Sequence, residues 1–247
     1  MTALPHDHDR PPTPGTVGES FRIKIVQTLK KVPYDTRLAA LQDADYNVLR
    51  LRRDQVYLDF ATTRGNAGLT DKQLSALMIG DEAYAGSANF FALEQACREV
   101  FGKQFTVPTH QGRGAEHLIL RGLLTPGQAL ATNGNLGTLK PLADELGLHV
   151  ETLPAEDAFD PRSQTEFKAD PPLDRLNDLC ESGRIKLLLL GAALPHLGGQ
   201  PLSLDALREC ASLARRHGVP LALDASLIAS AAYLDKLRRH PRRICRL

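Results

Sequence analysis

The chain of 247 residues contains no tryptophan, only two methionines and 5% aromatic residues. The chain also has no large excess of charge of one sign, since 30 lysines and arginines are balanced by 29 aspartates and glutamates to leave a net charge of +1. Such a surface has no overall field that would attract nucleic acid or a charged membrane, and no apolar run is long enough to span a bilayer. We therefore expect neither nucleic acid nor a membrane as a partner.

Cysteine is also scarce, with four residues that show no CxxC or metal-like spacing (Cys97, Cys180, Cys210 and Cys245). This spacing excludes a small domain held together by disulfides or zinc, and we expect a cytoplasmic location with reduced thiols. The whole chain is 43% hydrophobic and 24% charged, which is the composition of a globular domain with its own core.

Proline and charge set the two ends of the chain apart. Residues 1–18 hold four prolines and little that could be buried, which predicts a disordered lead-in. We assign 19–55 to an N-terminal arm, 56–237 to the main domain and 238–247 to a basic tail. The tail contains five arginines and no acid, so it is either solvated or contacts phosphate or an acidic partner.

Helix and strand patterns alternate from Phe21 onward. Strands are predicted at 56–60, 105–108 and 219–226 and in QALAT, LHVETL and IKLLLLGAAL, and helices at 88–102, 112–124 and 203–217. In the last helix the expected buried stripe is Leu204, Leu207, Ala211 and Ala214. Apolar strands separated by helices predict an α/β fold with a mainly parallel sheet, helices on both faces, and ligands at the carboxyl ends of the strands.

Two common nucleotide-binding motifs are missing, because no GxGxxG follows the first strand and no GxxxxGK[ST] occurs. Instead, Thr109–Gly114 follows a predicted strand and opens a helix. Free N–H groups there, with Arg113, would suit a phosphate, although a glycine-allowed turn with a surface arginine explains the segment equally well.

Two further segments carry candidate chemistry. Asp224 ends a predicted strand, where it either pairs with a protonated ring nitrogen or caps the following helix. The loop Gly80–Ser87 contains two adjacent acids and Tyr84. Its carboxylates suit a cation and its tyrosine suits a general acid, but small-residue loop chemistry accounts for it nearly as well.

Several segments, in order along the chain, resemble the tyrosine phenol-lyase and tryptophanase family. They are DADYNVLRLRRDQVYLDF, MIGDEAYAGS, VPTHQGRGAEHL, GGQPLSLDALR and the DAS that follows a strand. The resemblance implies a pyridoxal phosphate enzyme that eliminates an aromatic group from tyrosine or tryptophan. It implies the aspartate-aminotransferase fold, with 56–237 as an incomplete large domain, and tetramers built from two dimers whose subunits share active sites.

The resemblance also implies roles for individual residues. Gln111, Gly112 and Arg113 would hold the cofactor phosphate, and Asp224 would pair with the pyridine nitrogen. Tyr84 would reach in from the partner subunit and protonate the leaving aromatic ring. Thr62 would lie beside the substrate, and Glu82 with the Gly65 carbonyl would bind a monovalent cation such as potassium.

The chain departs from the family at three cofactor contacts. Leu136 replaces an aromatic residue stacked on the ring, Pro195 replaces an asparagine that contacts the ring oxygen, and Leu227 replaces an arginine. Pro195 has no side-chain donor, so that polar contact would be lost.

The family's Schiff-base lysine lies in a Ser-x-Lys-Lys segment beyond the stretch matching Ala232–Leu234, and the printed sequence does not contain it. Lys140 and Lys186 are expected to be surface lysines. We hypothesise that the arginine-rich tail is not the family's native continuation.

Two main hypotheses about function follow. The first is a truncated or degenerate lyase of aromatic amino acids, acting as a homo-oligomer. The second is a non-catalytic subunit that binds a full-length relative. A third hypothesis is an enzyme that still uses pyridoxal phosphate but acts on a different amino acid substrate.

Overall fold

The computed structural model describes residues 31–59 and 69–239. By its contacts the chain divides into two compact units, Met1–Gln95 and Ala96–Leu247. The boundary falls inside a helix, and each unit is described by itself.

The first unit is helical in its described part. Helix α1 spans Tyr34–Asp43, two short 3₁₀ turns follow, α2 spans Asp71–Ile79, and α3 spans Ala88–Phe101 and continues into the second unit. Helix α2 begins at a capping box in which the Thr70 hydroxyl accepts the Gln73 N–H at 3.1 Å and the Gln73 side chain accepts the Thr70 N–H at 2.9 Å.

The second unit alternates helices and strands. Helix α4 spans Gly112–Leu123, and α5 spans Leu139–Glu145. The remaining helices are α6 (Leu173–Glu181), α7 (Leu204–Arg216) and α8 (Ile228–Arg239). The strands are β1 (Ala129–Thr132), β2 (His149–Thr152), β3 (Ile185–Gly191), β4 (Ala193–Leu194), β5 (Gln200–Pro201) and β6 (Leu221–Asp224).

Four of these strands form one parallel sheet in the order β2-β1-β3-β6. A second, antiparallel pair joins β4 and β5. Because each parallel connection carries a helix, the sheet is covered by helices. The prediction of an α/β fold with a mainly parallel sheet is confirmed.

The core lies on both faces of this sheet, and β3 supplies side chains to each. Leu188 and Leu190 pack in a cluster with buried residues of α6 and α7. Leu187 and Leu189 pack in a second cluster with buried residues of α4 and α5. Successive strand residues point to opposite faces, so a continuous run of leucines fills both.

Two predicted strands are absent from the structure. Val56–Asp59 follows a 3₁₀ turn as irregular chain, while Phe60 lies outside the described residues. Residues 105–108 are also irregular, and Phe105 and Val107 are exposed. A strand needs a hydrogen-bonded neighbour, and no strand in the described ranges pairs with either segment.

Helix α7 forms as predicted, but its buried face differs from the predicted stripe. The buried residues are Ala206, Cys210, Leu213 and Ala214, whereas Leu204 is 42% exposed. The face is set by contact with α6 and the sheet, which the composition of the helix alone does not fix. Burial also raises the pKa of the Cys210 thiol to about 12, so this thiol stays protonated.

The apolar sequence VPLALDAS at 219–226 favours a buried strand, but the residues of β6 are exposed or half-buried. It lies at an edge of the described four-stranded sheet, with β3 as its neighbour. An edge strand has less cover than a central one, which explains the difference.

Candidate functional site

The four parallel strands bring their carboxyl ends to one edge of the sheet. Strands β1, β3 and β6 end at Thr132, Gly191 and Asp224, and the last two residues are paired across β3 and β6. The backbone continues this pairing, because the Ala192 N–H donates to the Asp224 carbonyl oxygen at 3.0 Å. Ligands of open parallel sheets bind at such an edge, which we call the carboxyl edge.

The start of α4 has the features of an anion site. Gln111 is extended and precedes the helix, and its carbonyl oxygen accepts the Gly114 N–H at 3.0 Å. A Cβ added at Gly112 would meet nothing within 4 Å, and Arg113 is exposed. The first amides of a helix carry partial positive charge, and the guanidinium adds a full one.

Side-chain contacts connect α4 to the carboxyl edge. The Thr138 hydroxyl donates to a Glu116 carboxylate oxygen at 3.0 Å, which joins the loop after β1 to the second turn of α4. In the same loop the Thr138 N–H donates to the Leu136 carbonyl oxygen at 2.8 Å. The side chain of Leu136 lies 2.7 Å from where a Cβ on Gly191 would be. The helix that holds Arg113 and the strand pair that holds Asp224 are thus joined through one loop.

Asp224 is engaged in a local turn. One of its carboxylate oxygens accepts the Ser226 N–H at 2.9 Å and the Ser226 hydroxyl at 2.5 Å. Helix α8 begins two residues later, at Ile228, so Asp224 shapes the entry to the helix.

The three departures from the family pattern have clear positions. Leu136 is half-buried beside Gly191, and Pro195 is the exposed first residue of a 3₁₀ turn. Leu227 packs with Ala192 and Ala231 in a small apolar cluster, where an arginine would bring its charge into apolar surroundings.

Two groups at the carboxyl edge were missed by sequence reasoning. Asn133 is 1% exposed and makes three hydrogen bonds across the edge. His196 packs against Gly134, and its ring lies 6.2 Å from that of Phe159. A polar residue directly after a buried strand was the only signal for Asn133, and nothing in the sequence links His196 to Phe159.

In the first unit, the loop Gly80–Ser87 is organised around Asp81. Its carboxylate accepts the Ala83 N–H at 3.2 Å and the Ala88 N–H at 2.8 Å. A hydrogen bond from the Ser87 hydroxyl, with those two amides, lowers the pKa of Asp81. Asp81 is thus tied to the start of α3, whereas Glu82 and Tyr84 are exposed.

Two predicted site residues, Thr62 and Gly65, lie outside the described residues. Within 31–59 and 69–239, no group of three or more histidine, cysteine, aspartate or glutamate side chains is arranged to hold a metal ion. The cation site stays a prediction. Lys140 is exposed and pairs with Asp144 at 2.6 Å, and Lys186 is exposed near the opposite end of β3 from Gly191.

A comparison with known protein families shows to which family this chain belongs. A family model described as Beta-eliminating lyase matches residues 59–247, which is most of the chain. The chain belongs to the beta-eliminating lyase family. The resemblance read from the sequence motifs is confirmed.

Curated relatives that are similar to this chain include tyrosine phenol-lyases. That of Symbiobacterium thermophilum is 37% identical over 223 residues, covering 89% of this chain and 49% of the relative. That of Intrasporangium calvum is 36% identical over 225 residues, covering 90% and 48%. The chain therefore spans about half the length of these relatives.

Solved structures with some likeness include the PLP-bound C-S lyase of Staphylococcus hominis, at 16% identity and a TM-score of 0.45, covering 62% of this chain and 39% of that one. An aspartate aminotransferase of Rhodobacter sphaeroides has 17% identity and a TM-score of 0.41, covering 53% and 34%. Among the helices of the described ranges, none is both long and apolar enough to cross a membrane.

Proposed function

We propose that this chain is the cofactor-holding part of a pyridoxal phosphate-dependent lyase that removes the aromatic group from an amino acid of the tyrosine or tryptophan type. The observation that carries the proposal is the link from α4 through Thr138 and Leu136 to Gly191 and Asp224. It joins a helix suited to phosphate with an edge carboxylate, in a chain of the beta-eliminating lyase family.

The residues present fit pyridoxal phosphate at both ends of the group. Open space beside Gly112 admits a phosphate against the first amides of α4, and Gln111 and Arg113 flank it. A carboxylate at position 224 can hold a proton on the pyridine nitrogen through a charge-assisted hydrogen bond. When bound, the cofactor acts as an electron sink for the amino acid.

The other proposed residues act around the substrate. Tyr84 would supply a proton to the departing aromatic ring, and its full exposure leaves the hydroxyl free to enter a partner's site. Thr62 would hold the substrate, and Glu82 with the Gly65 carbonyl would bind a monovalent cation such as potassium. Assembly as a homo-oligomer, or with a full-length relative, belongs to the same proposal.

The test is equilibrium binding of pyridoxamine 5′-phosphate, which has the ring and the phosphate but needs no lysine. We expect Arg113→Ala to weaken binding by about tenfold or more, because one charge-assisted contact to phosphate is lost. Arg121→Ala, in the last turn of the same helix, is the matched control and should leave binding unchanged.

A wild-type chain that does not bind pyridoxamine phosphate would contradict the proposal. Equal losses in Arg113→Ala and Arg121→Ala would also contradict it, because the effect would then be one of overall charge. Adding pyridoxal phosphate, reducing with borohydride and mapping any labelled lysine by mass spectrometry would show whether a lysine of this chain takes part.

A further inference from the structure

The side chain of Asn133 fills a gap in the backbone pairing at the carboxyl edge. Strand β1 ends at Thr132, whereas the neighbouring strand β3 extends beyond that point, as far as Gly191. The Asn133 amide nitrogen donates to the Gly191 carbonyl oxygen at 3.1 Å, and its amide oxygen accepts the Gly191 N–H at 2.8 Å. One side-chain amide thus pairs with both backbone polar groups of Gly191, as a further strand residue would.

The same amide reaches a third segment. Its nitrogen also donates to the Ala169 carbonyl oxygen at 2.9 Å, in the long connection between β2 and α6. Three of the four hydrogen bonds that an amide can make are therefore used in a site that is 1% exposed. A buried amide satisfied in this way rigidifies what it joins, because each lost bond leaves a polar group unpaired.

Gly191 transmits this rigidity to the candidate site. It is paired with Asp224 across the sheet, and a Cβ added to it would lie 2.7 Å from the Cδ2 methyl of Leu136 and 3.0 Å from that of Leu194, so these side chains pack closely against it. A shift of Gly191 would therefore move the Asp224 strand end and the Leu136 side chain relative to each other. None of the three hydrogen bonds described for Asn133 is made with α4.

From this geometry we infer that Asn133 is a positioning residue that fixes the spacing between Asp224 and Leu136 for a flat heteroaromatic ring. The inference rests on the proposed function, which supplies the ring. It assigns the ring end of the site to the Asn133–Gly191 contact and leaves the phosphate end to α4. In this role Asn133 acts through its hydrogen bonds to Gly191 and not by contact with the ligand.

The test separates the two ends of the ligand. Asn133→Asp keeps the size and one acceptor but removes both N–H donors, leaving the carbonyls of Ala169 and Gly191 without them. We expect binding of pyridoxamine 5′-phosphate to weaken by about tenfold. The constant for inorganic phosphate as a competitor should be unchanged. Asn135→Asp is the control, because this residue lies in the same loop and uses only its oxygen, toward the Gly137 N–H.

A second readout, amide hydrogen exchange, does not depend on the ligand. Exchange should accelerate at Gly191 and Ala192 in Asn133→Asp and stay unchanged in β2, which pairs with the other side of β1. Asn133→Ser, which is neutral and smaller, is made in parallel in case the aspartate variant does not fold.

Three outcomes would overturn the inference. Binding of pyridoxamine phosphate could be unaffected in both Asn133 variants. Ring ligand and phosphate could weaken in parallel with faster exchange throughout the sheet, which would make Asn133 an ordinary structural residue. In the third outcome the wild-type chain does not bind pyridoxamine phosphate. This result would overturn the proposed function itself, and with it the positioning role of Asn133.

Discussion

At the scale of single residues, two aspartates near the start of α7 have opposite environments. Burial raises the pKa of Asp170 above its ordinary value of 3.8, although the Ser203 N–H and hydroxyl both donate to it at 2.7 Å. The exposed Asp205 pairs with Arg239 at 2.8 Å, and that hydrogen bond lowers its pKa. The two groups should therefore respond to pH in opposite directions.

The first prediction follows from linkage between pKa and stability. The contribution of Asp170 is fully present below pH 3.8 and is lost as the pH rises through its raised folded pKa. That of Asp205 is present above pH 3.8 and is lost as the pH falls through its lowered folded pKa. Urea unfolding across the acidic range should show this in Asp170→Asn and Asp205→Asn.

Relative to wild type, Asp170→Asn should therefore gain stability as the pH rises, whereas Asp205→Asn should gain it as the pH falls. Differences from wild type that change with pH in the same direction for both variants would contradict the assignment.

A second prediction concerns glycine. Gly191→Ala would place a Cβ 2.7 Å from Leu136 and 3.0 Å from Leu194, so we expect a loss of about 1–3 kcal/mol in the free energy of unfolding. Gly122→Ala, in α4 with nothing within 4 Å, should instead stabilise by about 0.5–1 kcal/mol. Thermal or urea unfolding checks both, and a neutral Gly191→Ala would show that the edge can relax.

At the scale of elements, the start of α7 is hydrogen-bonded to two other segments of the chain. The Ser203 hydroxyl accepts the Ala206 N–H at 3.0 Å while donating to Asp170, and the Leu204 N–H donates to Asp235 at 3.1 Å. Asp235 belongs to α8 and pairs with Arg239 at 2.8 Å. Both α8 and the β2–α6 connection are thus hydrogen-bonded to the start of α7.

The third prediction uses this cap. Ser203→Ala should cost about 1–3 kcal/mol, because it removes the cap and leaves the buried Asp170 short of a donor. Ser212→Ala, the same change at an exposed position of α7, is the control and should be close to neutral. Equal effects of the two substitutions in urea unfolding would contradict the role of the cap.

The arginines at the end of α8 show what the sequence could not. Arg238 and Arg239 were assigned to the basic tail, but they are the last residues of this helix. Arg238 donates to the Gln200 side chain at 2.8 Å and lies 5.2 Å from the Phe167 ring. The Gln200 partner of Arg238 and the Asp205 partner of Arg239 are distant in sequence, so the charge pattern alone left open whether these arginines are solvated or paired.

At the scale of the whole molecule, burial is uneven between the two units. In the described part of the first unit the buried apolar residues are Val32, Ala40 and Ala44, and α2 has none. The second unit holds both large clusters around β3. Stability should therefore reside mainly in the second unit.

The fourth prediction tests this distribution by amide hydrogen exchange of the intact chain. Amides of β3 and α7 should exchange most slowly, and those of α2 most rapidly, because exposed helices open without losing buried apolar area. Comparable protection of α2 and β3 would mean that the apolar side chains of α2 are covered in solution.

The sequence by itself determined the elements whose signals are local. The helices α3, α4 and α7 carry their own periodicity and end signals, and the short leucine run of β3 favours a buried strand of a two-sided sheet. It also determined the family, because motifs such as GDEAYAGS and PTHQGRGAE are read directly from the residues.

Only the tertiary structure decided what depends on neighbours. Segments 56–59 and 105–108 have strand composition but no partner strand in the described ranges, and β6 is an edge rather than a core strand. The joining of α4, Leu136, Gly191 and Asp224, with Asn133 bonded across the strands, depends on contacts as far apart as 58 residues. Sequence patterns encode local spacing, whereas such contacts arise only when the sheet is assembled.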